Sequence, residues 1–381
     1  MKSVNKKAGI YIHFPFCKVK CGYCDFYSIT NKEHQIDDYF KYLHREIDLF
    51  SEKFNSRYLF DTLFIGGGTP SLSSAQNIEE LLKKLDEKFN LNNLKEFTME
   101  ANPGEAPKEL LADLNSIGVN RISFGFQSLN PEILSFLDRI HSPQDCLDAF
   151  DNARKAGFEN INIDMIFNIP NQPIKTLKEN LKTIISLSPN HISNYSLTVE
   201  PGTPLYEWVN SGKVIMPDED TDIKMFQEAT KLLEDNGYQQ YEVSNFAKNG
   251  MRCLHNLHYW NLDPYLAFGP SAHGYDGNNR WWNYKSLNKY TKALSKNKMP
   301  TQDIEILTKK DKFNEIILNG LRTSSGINLK ELLNIKNDIS IRKNIEEKTN
   351  KWPSLTLSQN YLKLESNDFM LLDEITADLF I

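Results

Sequence analysis

The sequence predicts an α/β fold: an incomplete (β/α)6 barrel of the TIM type, followed by a small C-terminal winged-helix-like α+β domain. Over residues 9–200, short β-rich segments alternate with helical segments about six times, which is typical of parallel strands joined by helical crossovers. Glycine-rich or polar groups accompany the carboxyl ends of five successive strands, where a β/α barrel places its functional site. An open doubly wound sheet, the alternative, would gather them at one switch point.

Six segments have the β-branched and aromatic composition of buried strands. They are residues 10–14, 62–65, 97–100, 121–126, 160–167 and 191–198. The helical segments between them carry apolar residues at spacings of three and four, which places these residues on one helical face. They are residues 36–50, 78–89, 107–118, 146–157 and 177–187. Two of these helices end at a glycine, Gly118 and Gly157, a residue that adopts the left-handed conformation without a Cβ penalty.

The pattern changes after residue 200. Residues 205–214 and 222–238 are predicted to be helical, and residues 241–284 are aromatic-rich and predicted to be loop-like. The end of the chain is predicted to form helices followed by a short hairpin. We therefore divide the chain into a barrel core (1–200), an aromatic-rich extension (201–300) and a C-terminal domain (301–381).

Composition narrows the function classes. The chain has 44 basic and 50 acidic side chains and a formal charge of -6, which gives no support for nucleic acid as a partner. Its apolar runs are too short to predict a transmembrane segment, and its first residues lack a secretory signal. Five cysteines, three of them clustered, do not form a disulfide framework, so we expect a cytoplasmic protein with reduced thiols.

The clustered cysteines are Cys17, Cys21 and Cys24, spaced C-x3-C-x2-C after the first predicted strand. Three thiolates on one short loop repel each other unless a cation or cluster neutralises them. A structural zinc site would need a fourth ligand, and the only nearby histidine is His13, on a strand predicted to be buried. A 4Fe–4S cluster held by three cysteines keeps one iron open for a small molecule. We favour the cluster; zinc and unliganded core cysteines are the alternatives.

This loop, with Tyr23 before its last cysteine, resembles the signature of the radical S-adenosylmethionine (SAM) enzymes. The resemblance implies a [4Fe–4S] cluster on the three cysteines. It also implies SAM as a cofactor, with its amino and carboxylate groups filling the position of the fourth iron.

Further positions resemble the SAM contacts of the coproporphyrinogen III oxidase-like branch of that family. Glycine lets backbone approach a ligand closely, exposed N–H groups can bind its carboxylate, and the polar side chains can hold its amino, ribose and carboxylate groups. Taken singly, each residue has a structural alternative, such as a tight turn, a helix cap or a partner for buried backbone. The positions are Tyr11, Gly67, Gly68, Thr69, Glu100, Gln127, Arg139 and Asp164.

Two departures separate the chain from the oxidases of that branch. Their cysteine loop continues C-x3-C-x2-C-x-C, but Phe26 stands at that last position here. Their barrel is also preceded by a longer segment, whereas about eight residues precede the first predicted strand here. The stretch "CDFYS" and the motif HNxxYW at residues 255–260 are instead similar to the HemW-type heme chaperones.

That resemblance implies a protein that binds heme and delivers it to an acceptor protein. Heme needs an axial nitrogen or sulfur ligand and flat apolar contacts. His255 is the favoured ligand, with His258 and Cys253 close in sequence. The aromatic residues could instead pack the barrel against the C-terminal domain; they are Tyr259, Trp260, Trp281 and Trp282. Two enzymes remain as alternatives: an oxygen-independent coproporphyrinogen III oxidase, and a radical SAM enzyme acting on an unrelated substrate.

Overall fold

Six parallel strands follow one another in chain order across the main sheet of this computed structural model, which describes residues 6–52, 54, 58–335 and 339–381. The strands are β1 (Lys6–Phe14), β2 (Tyr58–Gly67), β3 (Glu96–Ala101), β4 (Arg121–Gln127), β5 (Asn160–Phe167) and β6 (His191–Ser196). Helices connect them: α1 (Ile36–Ser51), α2 (Ala75–Phe89), α3 (Lys108–Ser116), α4 (Pro131–Phe136), α5 (Pro143–Lys155) and α6 (Ile174–Leu187). Short 3-10 helices lie at Glu33–Gln35 and Pro70–Leu72.

The barrel is incomplete, as predicted. On their outer sides β1 pairs with a later strand in parallel and β6 pairs with a later strand antiparallel, so the two ends of the six-stranded series do not close on each other. β6 ends at Ser196, two residues before its predicted end, and β1 and β2 begin four residues before theirs. Gly118 and Gly157 follow their helices with φ of +107° and +96°, which confirms their left-handed conformation.

The two faces of β1 show how the sequence builds the barrel. Ile10, Ile12 and Phe14 are buried in the core cluster that the connecting helices cover. Successive side chains of a strand point to opposite faces. Tyr11 and His13 therefore point to the inner, concave face of the sheet, which is available for function.

The aromatic-rich stretch is not loop-like, so that prediction was wrong. Short strands in and next to residues 241–284 extend both edges of the main sheet: β7 (Gln239–Glu242), β8 (Asn245–Ala247), β9 (Tyr265–Phe268), β10 (His273–Tyr275), β11 (Asn279–Asn283) and β12 (Thr301–Ile306). Their order is β12-β11-β10-β9-β1 at one edge and β6-β8-β7 at the other. Each of these strands has three to six residues, too few to show a clear period-two pattern in the sequence.

Four helices accompany these strands, two of them in the segments predicted to be helical. They are α7 (Pro204–Asn210), α8 (Glu219–Glu234), α9 (Leu254–Trp260) and α10 (Leu287–Leu294). The C-terminal part contains α11 (Lys309–Leu321), β13 (Ile327–Asn328), α12 (Leu329–Ile335), α13 (Ile339–Lys351), β14 (Leu355–Ser358), β15 (Tyr361–Leu364), a 3-10 helix (Ser366–Leu371) and α14 (Leu372–Leu379).

The three strands of the C-terminal part form a small antiparallel sheet in the order β13-β15-β14. Helices with a hairpin are the winged-helix-like arrangement that the sequence predicted. Within the described residues, no helix combines the length and the apolar composition that crossing a membrane requires.

Candidate functional site

The cysteine loop leaves the carboxyl end of β1 and returns to the same place. The N–H of Cys17 donates to the carbonyl of Ile29 (3.0 Å), and the N–H of Ile29 donates to the carbonyl of Pro15 (2.7 Å). A turn within the loop joins the N–H of Cys24 to the carbonyl of Cys21 (3.1 Å). These bonds hold the three thiols on one closed loop above the inner face of the sheet, and none of them forms a disulfide.

The surroundings of the thiols fit an iron–sulfur cluster. Burial raises the pKa of Cys17, and it raises the pKa of Cys24 to about 11, so thiolates here require a positive partner. Two side chains direct donors at sulfur: the Thr69 hydroxyl at Cys17 (3.6 Å) and the Arg139 Nη1 at Cys21 (3.5 Å). Hydrogen bonds to sulfur stabilise ligated thiolates and tune a cluster. Across the described ranges, no three His, Cys, Asp or Glu side chains are grouped to hold a single metal ion.

The glycine turn after β2 packs directly against this loop. The N–H groups of Gly68 and Thr69 donate to the carbonyls of Phe14 and Phe16, both at 2.7 Å. A Cβ on Gly68 would lie 2.5 Å from the Phe16 carbonyl oxygen, and Gly67 has a φ of +110°. The need for glycine is therefore explained by packing within the protein.

The N–H of Gly67 is also engaged, because it donates to Glu100 Oε2 (3.0 Å). The sequence-based expectation was that N–H groups of this turn would bind the cofactor's carboxylate. In the structure the N–H groups of Gly67, Gly68 and Thr69 all donate within the protein. The turn fixes the loop and Glu100, and any contact with a cofactor would use its other atoms.

Asn102 connects the predicted residues, although the sequence analysis did not select it. Its amide nitrogen donates to Thr69 Oγ1 (2.9 Å) and to Glu105 Oε2 (2.8 Å), and its amide oxygen accepts from Arg139 Nη2 (2.6 Å). Contacts thus run from Cys17 through Thr69, Asn102 and Arg139 to Cys21. The turn signal Asn-Pro-Gly directly after β3, at the same sheet edge as the cysteine loop, could have identified it.

Gln127 and Arg139 meet above Gly125. Arg139 Nη2 also donates to the Gly125 carbonyl (2.8 Å), and its Nε is buried without a hydrogen-bond partner among the described residues. A Cβ on Gly125 would lie 2.9 Å from Gln127 Nε2 and 3.2 Å from Arg139 Nη2. Gln127 itself has a φ of +65° at a bulge of β4, a strained conformation that clusters at functional sites.

Two predicted carboxylates lie on the inner face, on β3 and β5. Burial, reinforced by the charge of Asp164, raises the pKa of Glu100 to about 7. Burial also raises the pKa of Asp164, whose oxygens accept hydrogen bonds from Ser123 Oγ (3.1 Å) and Asn162 Nδ2 (2.8 Å). Two adjacent carboxylates favour a ligand that brings positive charge or several hydrogen-bond donors.

Tyr11 lies on the same inner face, on β1. Its ring stacks on Phe64 (6.1 Å between centroids), and its hydroxyl is hydrogen-bonded to His13 Nδ1 (3.2 Å). Burial, followed by the charge of Glu100, raises the pKa of the Tyr11 phenol, so it stays protonated. Tyr11 also stacks on His255 (6.4 Å), which links the predicted cofactor residues to the HNxxYW motif.

His255 is enclosed within the barrel, with 1% of its surface exposed. Its Nδ1 is hydrogen-bonded to Thr62 Oγ1 (2.8 Å) and its Nε2 to the Tyr259 hydroxyl (2.9 Å). Burial, followed by the nearby His258 and Arg121, holds its pKa well below the usual value. Glu96 fixes the backbone here, because it accepts hydrogen bonds from the N–H groups of Leu254 and His255.

The other residues considered for heme are dispersed. Cys253 is buried and donates to Glu96, and His258 is buried between Asp61 and Asp263. Trp260 lies under Arg322, and Trp281 stacks on Phe50 of α1. Tyr259 contacts Tyr265, while Trp282 stacks on His273. The structure therefore brings the predicted cluster and SAM residues together, and it does not gather the predicted heme residues around one open site.

Comparison with known proteins agrees with the radical SAM signature of the cysteine loop. The model of the radical SAM superfamily matches residues 11–184. The heme chaperone HemW of Bacillus subtilis (strain 168) is 38% identical over 325 residues, which cover 84% of each chain. The chain belongs to the HemW family.

A second HemW, from Escherichia coli (strain K12), is 40% identical over 266 residues, which cover 70% of this chain and 69% of that protein. Membership of the radical SAM superfamily, which the cysteine spacing predicted, implies a [4Fe–4S] cluster and SAM. Among solved structures, the coproporphyrinogen III oxidase HemN of Escherichia coli superposes with a TM-score of 0.84 over 99% of this chain and 90% of its own. It is 22% identical, so this likeness shows the fold of the chain and nothing about its activity.

Proposed function

We propose that this protein binds heme and transfers it to an acceptor protein, while its barrel holds a [4Fe–4S] cluster and SAM. One observation carries the proposal: its HemW relatives, described as heme chaperones, align over most of both chains. Phe26, which stands where the oxidases continue their cysteine motif, agrees with it. Phe26 is 63% exposed, so an apolar side chain lies at the surface beside the cysteine loop.

The barrel residues have separable roles in this proposal. Cys17, Cys21 and Cys24 would hold the cluster, which would supply one-electron reduction when bound. The other residues would orient SAM: the carboxylates would meet its amino or hydroxyl groups, and Thr69 and Arg139 would also keep the cysteine loop in place through their contacts with Cys17 and Cys21. The proposed SAM residues are Tyr11, Gly67, Gly68, Thr69, Glu100, Gln127, Arg139 and Asp164.

His255 remains the heme ligand that the sequence favours. Both of its ring nitrogens are engaged in the structure, so ligation through His255 requires Thr62 or Tyr259 to release it. It also requires α9 to withdraw from the inner face, because His255 is enclosed there. His255 as a ligand thus implies a conformational change on heme binding.

The proposal also covers the cellular location of the protein and its division into domains. A cytoplasmic location suits it, because the five cysteines are unpaired and the proposed cluster ligands need to stay reduced. We also propose that residues 1–200 form the cofactor-binding core, with 201–300 as the heme-related extension and 301–381 as the C-terminal domain.

The test is hemin titration of anoxically reconstituted protein, followed by addition of apomyoglobin as a spectroscopic acceptor. We expect a shifted Soret band that saturates at one heme per chain and then converts to the myoglobin spectrum. The absence of a Soret shift would overturn the proposal. Incubation with coproporphyrinogen, SAM and a reductant is the parallel assay, and protoporphyrinogen formation there would identify an oxidase instead.

A further inference from the structure

The inner face of the sheet continues beyond β1 onto the strands of the extension. Gly9, on the same face as Tyr11, is paired with Tyr265 of β9, and Tyr265 is paired with Tyr275 of β10. Residues that pair directly across strands point to the same side of a sheet. His273, two residues before Tyr275, therefore lies on this face too, and its partner in β11 is Trp282.

The opposite face confirms this assignment. Trp281, next to Trp282, stacks on Phe50 of α1 in the helical layer (6.0 Å between centroids). Gly274, next to His273, provides the space for the Trp281 ring, since a Cβ there would lie 2.3 Å from it. The concave side thus carries a row of aromatic rings from Tyr11 to Trp282, starting at the proposed cofactor site.

His273 differs from the other histidines of the chain. It is exposed, and within the described residues neither of its ring nitrogens makes a hydrogen bond. Its ring stacks on Trp282, with 5.8 Å between centroids and 20° between planes. Five histidines are buried and hydrogen-bonded, His44 is half-buried, and His34 is exposed but contacts Gln35. The buried five are His13, His141, His191, His255 and His258.

We propose that His273 is the axial ligand of heme and that Trp282 is its positioning residue. This inference rests on the proposed function and names the site. A neutral imidazole coordinates heme iron through one ring nitrogen. Its plane stands on edge to the porphyrin, so a side chain that fixes the plane also fixes the orientation of the heme. Burial of part of the ring and the charges of Arg280 and Lys285 lower the pKa of His273, which favours the neutral imidazole that can coordinate iron.

Positive charge for the heme propionates lies on the same side. Lys285 is exposed, acts electrostatically on both His273 and His13, and has no ion pair within the described residues. Arg280 is already paired with Glu315. Next to Lys285, Ser286 lines a cavity of about 390 Å³ whose wall also contains Lys20 and Lys32 of the cysteine-loop region. The lining of this cavity includes neither His273 nor Trp282, so, in the part of the chain that the structure describes, Lys285 is the unpaired cation that acts directly on an anionic ligand bound at His273.

The position of His273 suits a protein that transfers heme to another protein. His273 is exposed on β10, outside the six-stranded series β1–β6, so an acceptor protein can reach a porphyrin bound there without opening the barrel. Tyr27, which lines the same cavity, stacks on His13 (6.3 Å), and His13 is hydrogen-bonded to Tyr11. Because His13 also interacts electrostatically with His273, it connects the proposed heme site with the proposed SAM site.

The test compares hemin titrations of the reconstituted wild-type protein, His273→Ala and His34→Ala. Loss of an axial ligand should weaken hemin binding by about 10-fold or more and remove the wild-type Soret position. Added imidazole should restore that position in His273→Ala. His34→Ala, the matched exposed control, should behave as the wild type does. We expect Trp282→Ala to shift the Soret band and broaden the low-spin electron paramagnetic resonance signal, and Trp282→Phe to restore both.

Wild-type affinity and an unchanged spectrum in His273→Ala would overturn this inference. If His255→Ala alone then abolished the Soret shift, the ligand would be His255 and heme binding itself would stand. If the wild-type protein shows no Soret shift, the proposed function fails first. Because His273 is exposed and makes no hydrogen bond, its substitution leaves the folded core intact, so loss of binding cannot be attributed to unfolding.

Discussion

At the scale of single residues, the site depends on side chains that satisfy several partners at once. Asn102 is hydrogen-bonded to Thr69, Glu105 and Arg139, and it is the amide that keeps both cysteine-facing donors in position. Arg139 and Thr69 can direct hydrogen bonds at sulfur only while their remaining atoms are held. Asn102 thus controls the geometry of the proposed cluster ligands through Thr69 and Arg139.

We expect Asn102→Ala to destabilise the site. Removing the amide leaves Thr69, Glu105 and Arg139 with missing partners in a half-buried place, which costs about 1–3 kcal/mol for each group that stays unsatisfied. The iron content after anoxic reconstitution should fall, and the free energy of unfolding should decrease, as measured by urea denaturation. The control is Asn92→Ala, an exposed asparagine, which should change neither quantity. Equal iron content in the two variants would contradict this role of Asn102.

Gln127, in the same site, has a strained backbone conformation. Gln127 is held at a φ of +65° although it has a Cβ, at the end of a strand and at a bulge. Such a conformation costs of order 1–3 kcal/mol and persists where surrounding contacts impose it. Its amide and the Arg139 guanidinium both lie next to Gly125, so the strained residue is part of the same polar group as the cysteine-facing arginine.

At the scale of elements, the turn after β2 and the cysteine loop form one unit. Backbone hydrogen bonds from Gly68 and Thr69 to Phe14 and Phe16 set the separation between them. Gly68 has no side chain because the backbone of the loop occupies that space. The spacing of the thiols is therefore set by a neighbouring strand as well as by the loop's own sequence.

Substituting Gly68→Ala should displace the loop. The added Cβ would meet two backbone carbonyl oxygens, at 2.5 and 2.9 Å, and backbone cannot yield as a flexible side chain does. We expect less iron to be incorporated and the absorbance of the cluster near 400 nm to be lost, because the displaced loop no longer presents its three thiols to one cluster. Gly212→Ala is the control: Gly212 has a φ of +71° and open space, so we expect a loss of about 1 kcal/mol in stability and a normal iron content.

At the scale of the whole molecule, α9 joins the barrel to the extension. His258 connects three parts of the chain, since its ring is hydrogen-bonded to Asp61 on β2 (2.8 Å) and to Asp263 before β9 (2.9 Å). Burial lowers its pKa, but the two carboxylates outweigh burial and raise the pKa to about 9. The other groups facing this cluster are Lys7, 3.8 Å from Asp61, and the ring of His255.

This cluster predicts a pH dependence of stability. The folded-state pKa of His258, about 9, is above the value of 6.5 for an ordinary histidine. Its stabilisation is therefore complete below about pH 6.5 and is lost as the pH rises to about 9, with a magnitude on the order of 3 kcal/mol. The free energy of unfolding from urea denaturation should fall between pH 6 and pH 9.5 in the wild type and should be flatter in His258→Gln. The same pH dependence of the free energy of unfolding in the wild type and in His258→Gln would contradict this prediction.

Local patterns were sufficient to predict the core of this fold. Six alternating strands and helices, the glycines at helix ends and the polar groups after successive strands are all readable from the sequence, because strand and helix periodicity is a property of neighbouring residues. The spacing of Cys17, Cys21 and Cys24 likewise predicted the superfamily, because three ligands on one loop are also a local feature. The positions of the predicted SAM residues at one sheet edge followed from the parallel topology.

The short strands of the extension, the role of Asn102 and the exposure of each histidine depend on the tertiary structure. Short strands between residues 239 and 306 have no readable period, and they are stabilised by pairing with distant strands, which a sequence window does not contain. Asn102 connects two cysteine-facing residues that lie 33 and 37 positions away from it in the chain. His255 and His273 have the same chemistry in the sequence; folding encloses the first with two hydrogen bonds and leaves the second exposed beside Trp282. Residue type sets what a side chain can bind, and burial by distant parts of the chain determines whether a ligand can reach it.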